Sequence, residues 1–217
     1  MDITATNITL RRGGKILCEG LDLHASAGEL TAVIGASGSG KTTLLNCLAL
    51  LERVNEGQLR IGGRDMTTVP ESARRRFWRD SAAFIFQDYG LIDAETVAYN
   101  VMMSTPPLFR RRALTNPAVN EALSSVRLEG RGGEKVATLS GGEKQRVGLA
   151  RAMYKNAAII FADEPTASLD HENRDLVIEL LRQAAARGAT IVLATHDDAA
   201  ITAADHRLHL GTHPATV

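Results

Sequence analysis

Residues 34–45 read "IGASGSGKTTLL", and the register inside that stretch says more than its glycine content. Gly35 is followed by four residues, then Gly40, Lys41 and Thr42, which is the spacing of a phosphate-binding loop. A flexible linker needs no such register. Upstream, "ELTAVIG" carries the short apolar run Leu30, Ala32, Val33 and Ile34, which predicts a buried strand ending at glycine. Downstream, Leu44, Leu45, Cys47, Leu48 and Leu51 recur near the 3.6-residue period of a helix face.

Strand, glycine loop and helix together make an anion cradle. Glycines let successive N–H groups turn inward without a Cβ in the way, and the positive end of the helix favours phosphate oxygens. The candidate ligands are Gly35, Ala36, Ser37, Gly38, Ser39, Gly40, Lys41, Thr42 and Thr43. Lys41 is expected to reach the terminal phosphates, and the Thr42 hydroxyl to ligate Mg²⁺.

A second segment, "AAIIFADEPTASLD" at 157–170, is an apolar run closed by two carboxylates. A buried strand over Ala157–Ala162 would deliver Asp163 and Glu164 to the carboxyl end of a parallel sheet, where open α/β sheets bind ligands. Neighbours on a strand point to opposite faces, so the two acids are assigned different work. Asp163 is assigned to Mg²⁺ through water, and Glu164 to polarising the water that attacks the γ-phosphate. Loop and acids together imply a nucleoside triphosphatase.

The third segment is "LSGGEKQRVGLARAM", 139–153. Ser140 and Glu143 have the spacing of a capping box, and Val147, Leu149, Ala150 and Met153 continue as an apolar helical face. Locally this is either a structural helix start or a second place where free N–H groups meet an anion. Two phosphate-ready helix starts are more than one nucleotide needs.

The rest of the chain sets bounds. Its 217 residues are 44% hydrophobic and 23% charged, ordinary for one globular domain long enough to bury a core. The 25 basic residues balance 25 acidic ones, so no bulk attraction to nucleic acid is expected. Cys18 and Cys47 form neither a disulfide framework nor a metal spacing. The start "MDITATNITLRR" lacks the pattern of a secretion signal, and no apolar run approaches a membrane span; a cytoplasmic location is expected. Arginine clusters at Arg74–Arg76 and Arg110–Arg112 read as solvated faces. The stretch "STPPLFRRRALTNPAVNE" at 104–121 breaks the middle of the chain and precedes a helix that Asn116 can cap, with Pro117 at its first position. A mostly helical insertion from about Asp88 to Leu139, extended by the helix after it to about 88–150, therefore interrupts the α/β pattern.

Taken in order, "GASGSGKTT", Gln87 in "FIFQDYG", "LSGGE", "IIFADEP", "SLD" at 168–170 and His196 in "LATHD" strongly resemble the nucleotide-binding subunit of ATP-binding cassette (ABC) transporters over nearly the whole chain. The resemblance implies a P-loop NTPase of α/β class: a mainly parallel sheet core, an N-terminal antiparallel β subdomain and a helical insertion, all within one domain, 1–217. It implies ATP and Mg²⁺ as cofactors, and a head-to-tail dimer of two copies with two ATP molecules between them. Ser140, Gly141 and Gly142 of one copy would then touch the ATP held by the loop of the other, which accounts for the surplus helix start. Carried over in the same way, Gln87 approaches Mg²⁺ and the attacking water, His196 contacts the γ-phosphate, and Asp170 crosses the interface. The partners implied are a second copy and separate transmembrane permease subunits, with the chain peripheral on the cytoplasmic face of the membrane.

Within the family, "QDYGLIDAETVAYNV", "TLLNCLALLE" and "LSGGEKQRV" resemble the lipoprotein-release, macrolide-export and antimicrobial-peptide-export group. The ending "HRLHLGTHPATV" leaves no room for an added regulatory domain. One position departs from the family pattern. Where an aromatic residue usually precedes the first glycine of the N-terminal turn and stacks on adenine, "LRRGGKIL" has Arg12. Loss of a stacking partner costs on the order of 1–3 kcal/mol, although a guanidinium plane can itself stack on a base; weaker ATP affinity and poor discrimination against GTP are expected. Two other readings stand beside the transporter: a soluble cassette acting as a conformational switch, and a non-hydrolysing module, against which Lys41, Glu164 and His196 argue.

Overall fold

The computed structural model describes residues 1–103, 113–167 and 169–211; Arg110–Arg112 and Ser168 lie outside them. The chain is α/β, built on two sheets. The first is antiparallel, in the order β2-β1-β4-β5, from β1 (Ile3–Arg12), β2 (Lys15–Ala25), β4 (Glu56–Ile61) and β5 (Arg64–Asp65). The second is wholly parallel, in the order β6-β7-β8-β3-β9, from β6 (Ala82–Ile85), β7 (Ile159–Asp163), β8 (Thr190–Ala194), β3 (Leu30–Ile34) and β9 (His206–His209).

Strands β6, β7 and β8 are buried at every position. That is why they read as unbroken apolar runs: a parallel sheet is covered on both faces, so alternation has no solvent side to report. One core, holding Leu44, Leu45, Leu48, Phe84 and Phe161, lies between the two sheets around helix α1 (Lys41–Leu48). The other, holding Val147, Leu149, Ile160, Val177 and Leu181, lies on the opposite face of the parallel sheet.

The β3 bounds agree with the apolar run, and two expectations shift. Strand β7 spans Ile159–Asp163, not Ala157–Ala162. Asn156 is left-handed (φ 48°) and the Ala157 N–H donates to the Ala152 carbonyl, so these residues finish the preceding helix. Leu51 does not continue the α1 face: the helix ends at Leu48, Leu50 turns left-handed (φ 61°), and Leu51 is 39% exposed.

Between β6 and β7 the described residues are mainly helical, with α3 (Val97–Val101), α4 (Pro117–Ser125) and α5 (Gly141–Tyr154). Asn116 Oδ1 accepts the Ala118 N–H ahead of Pro117, as the sequence indicates. Helix α2 (Glu71–Asp80) precedes β6, while α6 (His171–Ala186) and α7 (Asp198–Thr202) flank β8. Sheet order brings the carboxyl ends of β6, β7, β8 and β3 to one edge, and Gln87, Glu164, His196 and Gly35 follow those ends directly.

Candidate functional site

At that edge lies a cleft of about 690 Å³ lined by Arg12, Leu17, Gly35–Gly38, Gly40–Thr43, Gln87, Glu164 and His196. Four loops and one hairpin contribute. The hairpin turns at Gly13 and Gly14, both with positive φ (57° and 80°), a two-residue turn that glycine adopts without strain. It holds Arg12 at the cleft mouth, where its guanidinium lies 3.5 Å from Thr43 Oγ1. Leu17 from the next strand packs on Gly40: a Cβ there would stand 3.0 Å from the Leu17 Cβ.

The loop itself is closely fitted. A Cβ on Gly35 would come within 2.5 Å of the Leu210 carbonyl oxygen and 2.6 Å of Ser39 Oγ, so only glycine fits. Gly40 (φ 99°) opens α1, and Lys41, 8% exposed, folds back to donate to the carbonyls of Gly35 (2.8 Å) and Ala36 (3.2 Å). Ser39 Oγ is buried with no hydrogen-bond partner among the described residues, and such a group ordinarily finds one.

The two acids both reach the loop. Thr42 Oγ1 donates to Asp163 Oδ1 at 3.1 Å, while the Glu164 carboxylate stands 3.9 Å from Lys41 Nζ and 2.9 Å from His196 Nδ1. Strict strand alternation would turn Glu164 away. It does not, because Glu164 lies one residue beyond β7 with φ 47°, a strained conformation for a non-glycine residue, and its N–H is tied to the Ala194 carbonyl (2.9 Å). The acids nevertheless face different partners. Burial, reinforced by the Glu164 charge, pushes the Asp163 carboxyl above its ordinary range; Thr42 and Lys41 pull the other way.

Ser140, Gly141, Gly142 and Asp170 are not among the residues lining this cleft. Ser140 Oγ accepts the Glu143 N–H (3.3 Å) and Glu143 Oε2 accepts the Ser140 N–H (2.8 Å), a complete capping box that leaves the Gly141 and Gly142 N–H groups unused by it. Asp170 caps α6, accepting from the backbone and side-chain amides of Asn173 (both 2.8 Å). Those hydrogen bonds hold its carboxyl below the usual range. Arg146 on α5 donates to Asn173 Oδ1, so the two helix starts are joined.

Sequence reasoning passed over Leu17, Arg131, Arg146, Asn100 and Arg151. Arg131 donates to both Glu134 (2.7 and 2.8 Å) and Glu143. Asn100, fully buried, and Arg151 brace the segment behind Gln87. An arginine inside the apolar face of "GLARAM" was the one visible signal; the contacts of Arg131 with Glu143 and of Arg146 with Asn173 join residues 12 and 27 positions apart.

The donor chemistry fits a magnesium nucleotide. A buried hydroxyl without a partner among the described residues and a glycine loop with left-handed Gly38 and Gly40 and no room for a Cβ at Gly35 suit phosphate, and the adjoining Thr42 hydroxyl and Asp163 carboxylate are the hard oxygens Mg²⁺ takes.

Comparison with known proteins agrees. Residues 18–167 match the family model described as "ABC transporter". The chain is 36% identical over 214 residues to a lipoprotein-releasing system ATP-binding protein, LolD, of Porphyromonas gingivalis, covering 97% of this chain and 96% of that one. It is 38% identical over 191 residues to a macrolide export ATP-binding/permease protein, MacB, of Nitrobacter winogradskyi, covering 88% of this chain but 29% of the relative; the chain thus spans less than a third of such macrolide export proteins. A dimeric structure of a bacterial ABC transporter cassette superposes with a TM-score of 0.83 at 30% identity, over 96% of this chain and 94% of that one. A post-hydrolysis dimer of a cassette bound to ADP and Pi gives 0.82 at the same identity. With the loop, the acids and the capped glycine helix start already set on one α/β frame, these likenesses leave a single assignment: the chain belongs to the ABC transporter family.

Proposed function

We propose that this protein is the ATP-hydrolysing subunit of an ABC transporter. Two copies close head to tail over two ATP molecules, and the closing and reopening drive export or mechanical work in separate membrane subunits. In this reading residues 1–217 form one cassette, with about 88–150 as its helical insertion. The observation that carries it is the division of the site. Lys41, Thr42, Asp163, Glu164, Gln87 and His196 gather at one cleft edge, while Gly141 and Gly142, behind the Ser140 cap, present N–H groups that the capping box leaves unused elsewhere on the chain. A cage split in that way is completed by a second copy.

Each residue then has a task. Backbone N–H groups of Gly35–Thr43 and the Lys41 ammonium hold the phosphates, and Arg12 meets the base. Thr42, with Asp163 behind it, and Gln87 would hold the Mg²⁺ that accompanies ATP; that ion neutralises developing charge on the phosphates. Glu164 orients the attacking water and takes its proton, and His196 steadies the γ-phosphate. Catalysis of this kind is mostly positioning and electrostatics. Full coordination needs both copies, so ATP favours the closed dimer, and hydrolysis removes that preference.

Among the described residues no helix is long and apolar enough to cross a membrane, which supports docking on membrane subunits, peripheral on the cytoplasmic face. The likeness to lipoprotein-releasing and macrolide export proteins supports a lipidated protein or an amphiphilic compound as cargo.

Dilution tests the proposal. ATPase activity per chain is expected to fall in proportion to concentration below the dimerisation range. A rate per chain that stays constant at dilutions where only monomer is detected would sink it. Retention on detergent-solubilised membranes separates a transporter subunit from a soluble switch.

A further inference from the structure

The start of helix α5 carries an electrostatic contradiction. The reading above asks it to receive a γ-phosphate, yet its third residue is a glutamate whose carboxylate is fixed toward the helix tip by the Ser140 N–H (2.8 Å). Anions favour a helix N-terminus, so Glu143 occupies part of the field that the phosphate would use. The unused Gly141 and Gly142 N–H groups lie directly beside it.

Arg131 answers that charge. It sits in the short turn Arg131–Gly133 that packs against α3 and α4, and its guanidinium donates simultaneously to both oxygens of Glu134 (2.8 and 2.7 Å) and to Glu143. The Arg131 and Glu143 side chains are 31% and 22% exposed, so solvent screens the pair only in part. Arg146 also feels the Glu143 charge, but its hydrogen bond goes to Asn173, and Lys144 pairs with Asp93, so Arg131 is the cation in direct contact with the Glu143 carboxylate among the described residues. Ser140 N–H and Arg131 keep Glu143 ionised against the opposing effect of its burial.

We infer that Arg131 is a positioning residue for the nucleotide of the partner copy: it neutralises Glu143 and thereby lets the α5 start accept a phosphate. This rests on the head-to-tail reading. The alternative is that Arg131 only ties the turn to the helix. The two differ in what relieves its loss. If charge matters, removing the negative charge of Glu143 restores function without restoring the tie.

The experiment measures the ATP concentration for half-maximal ATPase activity in the full chain, above its dimerisation range. R131M is expected to raise it about three- to tenfold, since one uncompensated charge a few ångströms from a phosphate is partly screened. Raising the salt from low to about 0.5 M should shrink the ratio of variant to wild type. The double variant R131M/E143Q should return toward wild type, because glutamine keeps the capping box and drops the charge. R131K, which keeps a cation but not the fork, should retain most of the affinity. No rescue by E143Q, a salt-independent deficit, or R131K as poor as R131M overturns the inference, and thermal melts show whether each variant is folded. If the wild type shows no concentration dependence at all, the dimer reading has failed instead.

Discussion

His196 Nδ1 stands 2.9 Å from the Glu164 carboxylate, although these residues come from the ends of different strands and differ sharply in exposure, 73% against 13% for their side chains. The contact exists because Glu164 takes a left-handed backbone (φ 47°) and hands its N–H to Ala194, two residues before His196. Strain at a non-glycine position persists only where the surroundings over-determine it, and here Lys41, His196 and the β8 end do so.

Glu164→Gln keeps the shape of the side chain and its contact with His196 but removes the base. Turnover is expected to drop by at least about 100-fold, the usual worth of a positioned general base, while ATP binding persists. With hydrolysis blocked, the closed dimer accumulates, so size-exclusion chromatography with ATP should show a dimer peak absent from wild type. Turnover within a few fold of wild type would mean that another residue positions the water.

Asp163 gives a pH signature. Its carboxyl is raised in the folded chain, chiefly by burial, so the folded state holds its proton to higher pH than the unfolded state does. The stability linked to that proton is fully present below the ordinary carboxylate range and is lost as pH rises through the raised value. At neutral pH the ionised group is therefore a cost. Asp163→Asn, which can still accept from Thr42, should melt several degrees higher than wild type at pH 7, with the gap closing toward pH 4. It should also need more Mg²⁺ for ATPase activity. A melting difference that does not change with pH counts against burial as the cause.

How far this was legible follows from the range of each interaction. The β3–loop–α1 unit, the Ser140 capping box and the Asn116 cap involve residues within a few positions of one another, so spacing alone specified them. The approach of Asp163 to Thr42 crosses 121 positions and was readable only because parallel sheets gather carboxyl ends at one edge. The left-handed turns at Leu50 and Glu164 were not legible, since nothing in those residue types favours positive φ; at Asn156 the residue type, which tolerates the left-handed region, was a signal the strand assignment overlooked. Arg131 was hidden for another reason: its i,i+3 pairing with Glu134 is an ordinary surface spacing, and its reach to Glu143, 12 positions on, leaves no periodic trace.

Asn100 is fully buried, and its amide accepts from the Ile92 N–H (2.8 Å) while donating to the carbonyls of Ile92 (3.1 Å) and Thr96 (3.0 Å). Its own carbonyl accepts from Arg151, which also donates to Gly90. Asn100→Ala strands the Ile92 N–H, while the Ile92 and Thr96 carbonyls keep the Glu95 and Asn100 N–H groups, and should cost about 1–3 kcal/mol, read as a lowered urea midpoint. Because the freed loop carries Gln87 a few residues upstream, the fall in ATPase activity should exceed what the unfolded fraction explains. An unchanged midpoint would show that water replaces the side chain.

Arg12 lies exposed at the cleft mouth, with its guanidinium 3.5 Å from Thr43 Oγ1. A guanidinium offers a base a flat cation; an aromatic ring offers more stacking area and no charge to keep hydrated. Arg12→Tyr should tighten ATP binding by at least about fivefold, the low end of what one base-stacking contact provides. The hairpin geometry should survive, because Gly13 and Gly14 make the turn and not Arg12. The ATP-to-GTP affinity ratio, expected to lie near one for the native chain, should move in favour of ATP if the ring reads the base. Equal tightening for both nucleotides indicates stacking without selection. Unchanged affinity for either would mean that the base does not reach the hairpin, and the assignment of this corner of the cleft would be withdrawn.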